Sequence, residues 1–447
     1  MFYRKLYKHL LIWKDKNGRK PLIIRGARQV GKSTLVNEFS REFKYFAALN
    51  LEKQQDRYIF ENLERTHDIV DAIFLRAAIP FRKEPTLIFI DEIQESPKAI
   101  SQLRYLYEDY PQLYVIAAGS LLEFALNKVA SFPVGRVEQV VLHPFDFEEY
   151  LLALGKSDVL NELESVPLKN YAHSILLELF NDYTIIGGMP EIIGQFVRDK
   201  SIANLSPIFS NLWQSYRDDV EKYALNSTGR KIIRHIIDTA PLEKDRITMA
   251  GFGKSEYRSR EAGEALRALD MARIIQLIYP TTSLEPPPVS DIKRKPRLQF
   301  LDTGLLNYSL GCQDLMIGLK DLSSINRGRI LQHIIYQQIQ AQNHTPLFKP
   351  LFWVREKANS NAEVDLVFQH GKFLIPAEIK SGMHGTLRSL HQFIDRVNHP
   401  YAIRLSANNF LVEKVRTPGG TPYFLMNLPY YASSKIAEYI SWFVENY

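Results

Sequence analysis

Residues 21–39 read PLIIRGARQVGKSTLVNEF, and they predict the architecture of the N-terminal part of the chain. The apolar run Leu22–Ile24 predicts a buried parallel strand, and apolar residues in helical spacing from Leu35 to Phe39 predict a helix. Between the two lies the complete pattern G-x-x-x-x-G-K-[ST], which forms a phosphate-binding loop when a strand precedes it and a helix follows it. The predicted loop and the first residue beyond it are Gly26, Ala27, Arg28, Gln29, Val30, Gly31, Lys32, Ser33 and Thr34.

The chemistry of this loop predicts a nucleotide site. Its glycines let backbone N–H groups curl around an anion, and the N-terminal end of the following helix adds positive character. Lys32 is expected to reach the β- and γ-phosphates of ATP, and the Ser33 hydroxyl to ligate Mg²⁺. The alternative is a glycine-rich turn that carries a surface lysine.

A second motif agrees with the first. The apolar strand predicted over Thr86–Ile90 ends in Asp91 and Glu92, and open α/β sheets bind their ligands at the carboxyl ends of strands. Asp91 fits the Walker B role of holding the Mg²⁺ shell, and Glu92 that of polarising the attacking water. Taken alone, such a pair is usually a helix cap or a solvated turn. Together with the complete Walker A loop it predicts a nucleoside triphosphatase, with Lys32 and Glu92 as catalytic residues.

Further apolar runs predict the rest of an α/β domain with a parallel sheet. They are Tyr45–Leu49, Tyr114–Ala118 and Val137–Leu142. Ser120 follows the second of these strands and could sense the γ-phosphate. The equally open interpretation is that Ser120 caps a helix predicted over Leu121–Leu126.

The composition indicates a soluble globular protein. The 447 residues are too many for one core, so roughly two to four domains are expected. No apolar run approaches the roughly 20 residues that cross a bilayer, and the N-terminus predicts an amphipathic helix and not a signal peptide. The single cysteine, Cys312, excludes an intrachain disulfide and a multi-cysteine zinc site, which favours the cytoplasm. The net charge of +6 permits a nucleic-acid partner without demonstrating one.

The middle of the chain predicts helices and a candidate DNA-binding element. Residues 145–223 show helical spacing, two more helices are predicted over Lys231–Ala240 and Ser259–Leu269, and a strand over Ile274–Tyr279 follows. This is the outline of a winged helix, whose second helix can lie in a major groove, and the proline-rich residues 284–297 read as a linker or a wing. The arginines on or close to the second helix are Arg258, Arg260, Arg267 and Arg273. The alternative is a domain that packs against its neighbours with these arginines solvated.

Residues 363–380, EVDLVFQHGKFLIPAEIK, predict a β-hairpin near the C-terminus. Apolar residues alternate along both strands, as they do when one face of a hairpin is buried. A two-residue turn at residues 370–371 would pair Phe368 with Phe373 and gather both apolar rows on one face.

The other face of the predicted hairpin carries the charged residues. This register would place Glu363 across from Glu378, with Asp365 diagonal to Glu378 at roughly 7–8 Å and Lys380 on the same face. Two carboxylates at this short distance from each other suit an oxygen-ligated Mg²⁺, and Lys380 could stabilise a phosphate or orient a water. The alternative is a structural cluster in which Lys380 neutralises the two acids.

The motifs GARQVGKSTL, IFIDEIQ, AAGS, GRV, LHPFDFEEY and GGMPE follow in this order along the chain. In this the chain resembles a prokaryotic family of AAA-like ATP-binding proteins that carry a C-terminal domain of unknown function. The resemblance implies an AAA-type P-loop ATPase core over residues 1–144, a helical lid over 145–228, a winged-helix-like section over 229–300 and a domain similar to PD-(D/E)XK nucleases over 301–447. No chemistry follows from the spacing of GGMPE.

The resemblance also implies roles for individual residues. Ser120 lies where AAA+ ATPases carry a sensor residue. Arg136 of GRV is a candidate arginine finger, which would act on a neighbouring copy in a homo-oligomer; a surface salt bridge is the alternative. The hairpin residues match the D…E-x-K arrangement of the nuclease-like superfamily. The helix before the hairpin offers Gln332 where a glutamate is usual, which weakens the expected Mg²⁺ affinity.

Three functions follow as hypotheses. The first is an ATPase that uses Mg²⁺ and couples hydrolysis to DNA or a protein partner. The second is a nucleotide-gated regulator that binds DNA or a protein with little turnover. The third is an ATP-regulated, metal-dependent nuclease acting through Asp365, Glu378 and Lys380; DNA binding without cleavage, or a purely structural role, are the alternatives for this terminal site.

Overall fold

The computed structural model describes residues 2–80, 85–120, 122, 132–220, 224, 226–312, 327–346, 348–357, 360–381 and 386–447. Except for Leu122, the helix predicted over Leu121–Leu126 lies outside these residues. The chain forms two compact units. The first contains Met1–His143, Met271–Arg273 and Asn343–Phe348, and the second contains Pro144–Asp270, Ile274–Gln342 and Lys349–Tyr447. The division into four domains stays a prediction.

The first unit is built on a parallel sheet. Its strands are β1 (Leu22–Arg25), β2 (Tyr45–Asn50), β3 (Thr86–Asp91), β4 (Tyr114–Gly119) and β5 (Glu138–Val141). Among the described residues these strands form a five-stranded sheet in the order β2-β3-β4-β1-β5, and all neighbours are parallel. Each apolar run that predicted a strand forms one, so the predicted α/β architecture is confirmed.

Helices pack against this sheet. They are α1 (Leu6–Asp15), α2 (Lys32–Phe39), α3 (Gln54–Asn62), α4 (Thr66–Arg76) and α5 (Pro97–Asp109). Leu6, Leu10 and Trp13 lie on one face of α1 and are buried, as the predicted amphipathic pattern requires. Ser96 begins α5, because its side chain accepts a hydrogen bond from Ala99 N at 3.3 Å.

The second unit begins with a series of helices. They are α6 (Phe147–Ala153), α7 (Ser157–Leu163), α8 (His173–Ile186), α9 (Pro190–Asp199) and α10 (Ser206–Val220). A capping box starts the series: the Asp146 side chain accepts a hydrogen bond from Glu149 N at 2.8 Å, and the Glu149 side chain accepts one from Asp146 N at 3.3 Å. The helical pattern predicted for this region is therefore confirmed for its described residues.

Two helices and a pair of strands follow. They are α11 (Ser227–Thr239), α12 (Ser259–Met271), β6 (Ile275–Ile278) and β7 (Arg297–Phe300). The two strands pair in antiparallel, with Leu277 opposite Leu298. The predicted order of helix, helix and strand is present, and β7 is a second strand that the sequence did not predict. Binding of DNA by this section stays a prediction.

The rest of the second unit is a mixed sheet with flanking helices. Its elements are α13 (Thr303–Ser309), α14 (Arg327–Ala341), β8 (Leu351–Lys357), β9 (Ser360–His370), β10 (Phe373–Ile379), α15 (Arg388–Ile394), β11 (Tyr401–Ser406), β12 (Leu411–Arg416), β13 (Pro422–Pro429) and α16 (Ile436–Asn446). Within the described ranges the six-stranded sheet has the order β12-β13-β11-β10-β9-β8, with β10 antiparallel to β9 and parallel to β11. No helix in the described part of the chain has the length and apolar character needed to span a bilayer.

The hairpin of β9 and β10 has a register different from the predicted one. Phe368 pairs with Ile375 and not with Phe373, so the turn consists of Gly371 and Lys372. Two-residue hairpin turns of types I′ and II′ need a positive φ at their first position, and Gly371 supplies it with a φ of 54°. Glycine at this position therefore sets the register.

This shift by two residues moves the acidic side chains along the hairpin without changing their face. Side chains alternate with a period of two, so each residue keeps the face that was predicted for it. The pairing of Leu366 with Ala377 brings Asp365 across from Glu378. The prediction that Glu363 lies opposite Glu378 was wrong.

A buried polar network accounts for the two glycines of GGMPE. A Cβ at Gly188 would lie 2.2 Å from Phe145 O, and one at Gly187 would lie 2.2 Å from Asp302 Oδ1. Asp302 accepts hydrogen bonds from Gly188 N at 2.5 Å and from Leu305 N at 3.1 Å, and the second of these caps α13. The motif is therefore a close-packing site of the second unit.

Candidate functional site

The predicted phosphate-binding loop lies at the carboxyl ends of β1, β3 and β4, which are neighbours in the parallel sheet. Gly26 and Gly31 have φ values of 153° and 96°, and a Cβ at Gly26 would lie 2.4 Å from Leu142 O. Helix α2 begins at Lys32, directly after Gly31. The N-terminal end of this helix, with its unpaired N–H groups, is therefore adjacent to the loop.

Lys32 is buried inside the loop. Its Nζ donates hydrogen bonds to Gly26 O at 3.0 Å and to Ala27 O at 2.8 Å. Burial lowers the pKa of Lys32 to about 8, although the nearby carboxylates of Glu92 and Asp91 favour its charged form. An enclosed ammonium gains more from a phosphate anion than a solvated lysine does, because less water screens the attraction.

The other predicted loop residues differ in exposure. Arg28 forms an ion pair with Glu52 at 3.3 Å, and both side chains are partly exposed. Ala27 is buried, whereas Gln29 and Thr34 are exposed. The side chains of these residues therefore do not form the centre of the site. At these positions the loop would contact phosphate mainly through its backbone.

Arg4 supports the loop from the N-terminal segment. Its Nη1 donates a hydrogen bond to Val30 O at 2.7 Å, and its Nη2 donates one to His143 O at 2.6 Å. The side chain of Arg4 is buried. Sequence reasoning missed this residue, because no local pattern links it to the loop.

The two predicted motifs meet at Ser33 and Asp91. Ser33 Oγ donates a hydrogen bond to Asp91 Oδ2 at 2.6 Å. Burial raises the pKa of Asp91 above its usual value, although the hydrogen bond from Ser33 opposes this shift. A hydroxyl and a carboxylate beside a phosphate-binding loop are the protein ligands that Mg²⁺ takes in such sites. The residues present therefore fit the predicted metal ion.

Glu92 follows Asp91 in a left-handed backbone conformation, with a φ of 52°. Gln94 Nε2 donates a hydrogen bond to Glu92 Oε2 at 2.6 Å. A Cβ at Gly119 would lie 2.4 Å from Gln94 Oε1, so Gln94 packs directly on the end of β4. Gln94 thus fixes the position of the predicted catalytic carboxylate. The sequence offered a signal for it in IDEIQ, but its role depends on this contact.

Ser120 and Arg136 differ in their relation to the loop. Ser120 directly follows β4 and is buried, and its Oγ has no hydrogen-bond partner among the described residues. Arg136 Nε donates a hydrogen bond to Glu108 Oε1 at 2.8 Å, and 44% of the arginine side chain is exposed. This contact is the surface salt bridge that the sequence left open as an alternative. The sensor and finger roles stay predictions.

Arg273 is a cation that the sequence associated with α12. It lies beyond the end of that helix, with a φ of 58°, and Met271–Arg273 belongs to the first unit. Burial is the main cause of the lowered pKa values of Lys32 and His143, and the charge of Arg273 lowers both further. Arg273 therefore acts on Lys32 in addition to Arg28, whose charge lowers the pKa of Lys32 more.

The second predicted site lies on the hairpin of the second unit. Asp365 Oδ2 accepts a hydrogen bond from Ile379 N at 3.0 Å, and Lys380 Nζ donates one to Glu378 Oε1 at 2.7 Å. Burial, and then the charge of Asp365, raises the pKa of Glu378 to about 7. The structure thus brings Asp365, Glu378 and Lys380 together.

An arginine that the sequence did not assign to this site contacts its acids. Arg297 of β7 binds Glu363 and lies 3.2 Å from Asp365 Oδ1. Gln332 of α14 lines a small cavity together with Arg297 and Tyr336. Among the residues that the structure describes, no group of three or more histidine, cysteine, aspartate or glutamate side chains is arranged to hold a metal ion.

Comparison with family models identifies the first of these regions. Residues 18–151 match the model of an AAA domain. Residues 177–315 and 327–419 match the models of two domains of unknown function, DUF8612 and DUF4143. The chain therefore carries a P-loop domain of the AAA type, and its resemblance to AAA-like proteins with a C-terminal domain of unknown function is confirmed. The similarity of that terminal domain to nucleases stays a prediction.

Three solved structures are among those with similarity to the chain. The Walker-type ATPase PABY2304 of Pyrococcus abyssi is 13% identical, with a TM-score of 0.46 over 69% of this chain and 96% of that chain. The RuvB Holliday junction branch migration motor of Thermotoga maritima is 14% identical, with a TM-score of 0.27 over 65% of this chain and 93% of that chain. The Hsp104–ADP complex of S. cerevisiae is 14% identical, with a TM-score of 0.28 over 60% of this chain and 39% of that chain. No curated protein matches the chain.

Proposed function

We propose that this P-loop protein of the AAA type binds ATP together with Mg²⁺ and hydrolyses it, and that the cycle acts on DNA or on a protein partner. The observation that carries the proposal is the hydrogen bond of 2.6 Å between Ser33 Oγ and Asp91 Oδ2, which joins two motifs 58 residues apart. It lies next to Lys32, which is only 6% exposed. A glycine-rich turn with a surface lysine would show neither feature.

Each residue of the site has one task in this proposal. Lys32 and the N–H groups at the start of α2 bind the phosphates, and Ser33 and Asp91 hold Mg²⁺. When bound, the ion would supply positive charge next to the phosphates. Glu92, held by Gln94 at 2.6 Å, orients the attacking water and accepts its proton.

Arg136 supports a second element of the proposal, which is a homo-oligomer. Its ion pair with Glu108 is partly exposed. Surface pairs of this kind contribute little to stability, so the guanidinium can exchange this partner for a phosphate bound to another copy at little cost. Loss of Arg136 would then lower turnover and leave ATP affinity unchanged.

DNA is the partner that the segment between β6 and β7 would contact. Val289 and Ile292 are 67% and 75% exposed there, and the neighbouring Lys293 is exposed as well. Exposed apolar side chains beside lysines suit a nucleic-acid groove, where lysines meet phosphates and apolar groups meet bases. Helix α12 gives weaker support, because Arg260 pairs with Glu264 at 2.9 Å on its own surface.

A regulator that binds ATP with little turnover is the second candidate. The contact that favours it is the hydrogen bond from Gln94 to Glu92. If this bond persists with ATP bound, one oxygen of the carboxylate stays occupied and water activation is slow. ATP binding, and not ATP hydrolysis, would then control the activity of the protein.

Calorimetric ATP binding and phosphate release distinguish these possibilities. We expect the wild type to bind Mg²⁺–ATP and release phosphate, and Lys32→Ala to do neither. Lys44→Ala is the matched control, because Lys44 is an exposed lysine of the same unit and should behave as the wild type. Unchanged ATP binding by Lys32→Ala would refute the assignment of the loop. Tight binding without phosphate release, with or without DNA, would favour the regulator.

A further inference from the structure

The acidic site on the hairpin holds a side chain of the same protein. Arg297 Nη2 binds Glu363 and lies 3.2 Å from Asp365 Oδ1, and its Nη1 lies 3.5 Å from Asp365 O. The guanidinium carbon also lies 4.4 Å from the centroid of the Phe352 ring. Only 11% of the Arg297 side chain is exposed, so packing and hydrogen bonds together fix its position.

Two further arginines extend this contact. Arg246 binds Glu356 and, at 3.0 Å, Glu363 Oε2, and Arg294 binds Glu356. Arg294 and Arg297 lie in the segment from β6 to β7, and Arg246 lies between α11 and α12, where its backbone bridges that of Arg297. The acids Glu356 and Glu363 lie on β8 and β9. The arginines therefore connect this segment to the mixed sheet through charge-assisted hydrogen bonds.

The three acidic side chains of the hairpin are already paired with cations of the chain. Glu363 pairs with Arg246 and Arg297, Asp365 pairs with Arg297, and Glu378 pairs with Lys380. A divalent cation bound here would have to displace these cations. It would also lie beside an arginine, which cannot relieve the repulsion by giving up its proton.

We propose that the Arg297 guanidinium takes the position in which nuclease-like sites hold a divalent cation, so that Glu363 and Asp365 bind this arginine and no metal. The D…E-x-K residues of the chain then serve as an internal clamp between the β6–β7 segment and the mixed sheet. The Mg²⁺ that the resemblance implies for this site does not fit the residues present. The chain is accordingly not a metal-dependent nuclease in this conformation.

Binding of Mn²⁺, measured on the full nucleotide-free chain from the electron paramagnetic resonance signal of the free ion, tests the proposal. We expect wild type and Asp365→Asn to bind the same number of Mn²⁺ ions, because Asp365 is already occupied. Arg297→Gln should bind one additional ion, and the double variant Arg297→Gln/Asp365→Asn should lose it again. Arg294→Gln is the matched control, since it removes an arginine that contacts Glu356 and not Asp365, and it should gain no ion.

Two results of the Mn²⁺ measurement would overturn the proposal. One is a Mn²⁺ site in the wild type that Asp365→Asn removes. This comparison does not use the arginine variant, so it remains valid even if Arg297→Gln does not fold. The other is a folded Arg297→Gln variant, verified by its circular dichroism, that gains no ion. Mg²⁺-dependent cleavage of DNA by the wild type, lost in Asp365→Asn, would contradict the proposal independently of Mn²⁺ binding.

Discussion

Raising the pH from 7 to 9 should remove the charge of Lys32 and weaken ATP binding. Burial lowers the pKa of this lysine to about 8. A group with this pKa is about 90% protonated at pH 7 and about 9% protonated at pH 9. If the phosphates bind only the ammonium form, the apparent Kd rises about tenfold over this range, which corresponds to about 1.4 kcal/mol. A solvated lysine with a pKa of about 10.4 would stay charged throughout and leave the Kd unchanged.

Isothermal titration calorimetry at pH 7, 8 and 9 measures this effect. Repeating each titration in buffers of different ionisation enthalpy also counts protons, and near pH 9 we expect almost one proton to be taken up for each ATP bound. Lys32→Arg is the control, because an arginine keeps its charge over the whole range. The affinity of Lys32→Arg for ATP should be the same at pH 7, 8 and 9. A wild-type Kd that is constant between pH 7 and 9, without proton uptake, would refute the argument from burial.

Three further perturbations follow from individual contacts. Gly26→Ala should abolish ATP binding and destabilise the first unit by about 1–3 kcal/mol in urea unfolding, because the new Cβ would lie 2.4 Å from Leu142 O; wild-type stability would contradict the loop geometry. Asp302→Ala should cost about 3 kcal/mol of unfolding free energy, since buried N–H donors lose their acceptor; Asp302→Asn should restore part of it, and a neutral effect of the alanine would speak against the network. Arg273→Ala should raise the pKa of Lys32, because the charge of Arg273 lowers it. The pH at which ATP affinity is half lost should therefore be higher in this variant. An unchanged pH midpoint would show that Arg273 does not act on Lys32.

The parts of the fold that could be predicted depend on local signals. The run Leu22–Ile24 is apolar on both faces, as a central parallel strand requires, and the strand over Thr86–Ile90 follows the same rule. The meeting of Ser33 and Asp91 also could be predicted. Asp91 ends β3, and Ser33 lies in the first turn of the helix that follows β1. The carboxyl ends of parallel strands lie at one edge of the sheet, so both residues are expected there.

The parts that could not be predicted depend on contacts between distant residues. Arg297 reaches acids 66 and 68 positions away, and in the sequence it appears only as the end of a basic, proline-rich stretch. Nothing local indicates that its partners are Glu363 and Asp365. The hairpin register failed for a different reason, because the alternation of apolar residues permits a slip of two positions and only the turn glycine, Gly371, decides between them.

We propose that the first unit hydrolyses ATP at the site of Lys32, Ser33 and Asp91, with Glu92 activating the water. Single-turnover phosphate release, with Mg²⁺–ATP bound to wild type and to Glu92→Gln, tests it most directly. We expect both proteins to bind ATP equally and Glu92→Gln to release phosphate at least roughly 100-fold more slowly, the usual loss for a general base. Equal rates of release in the two proteins, or no release by the wild type, would contradict it.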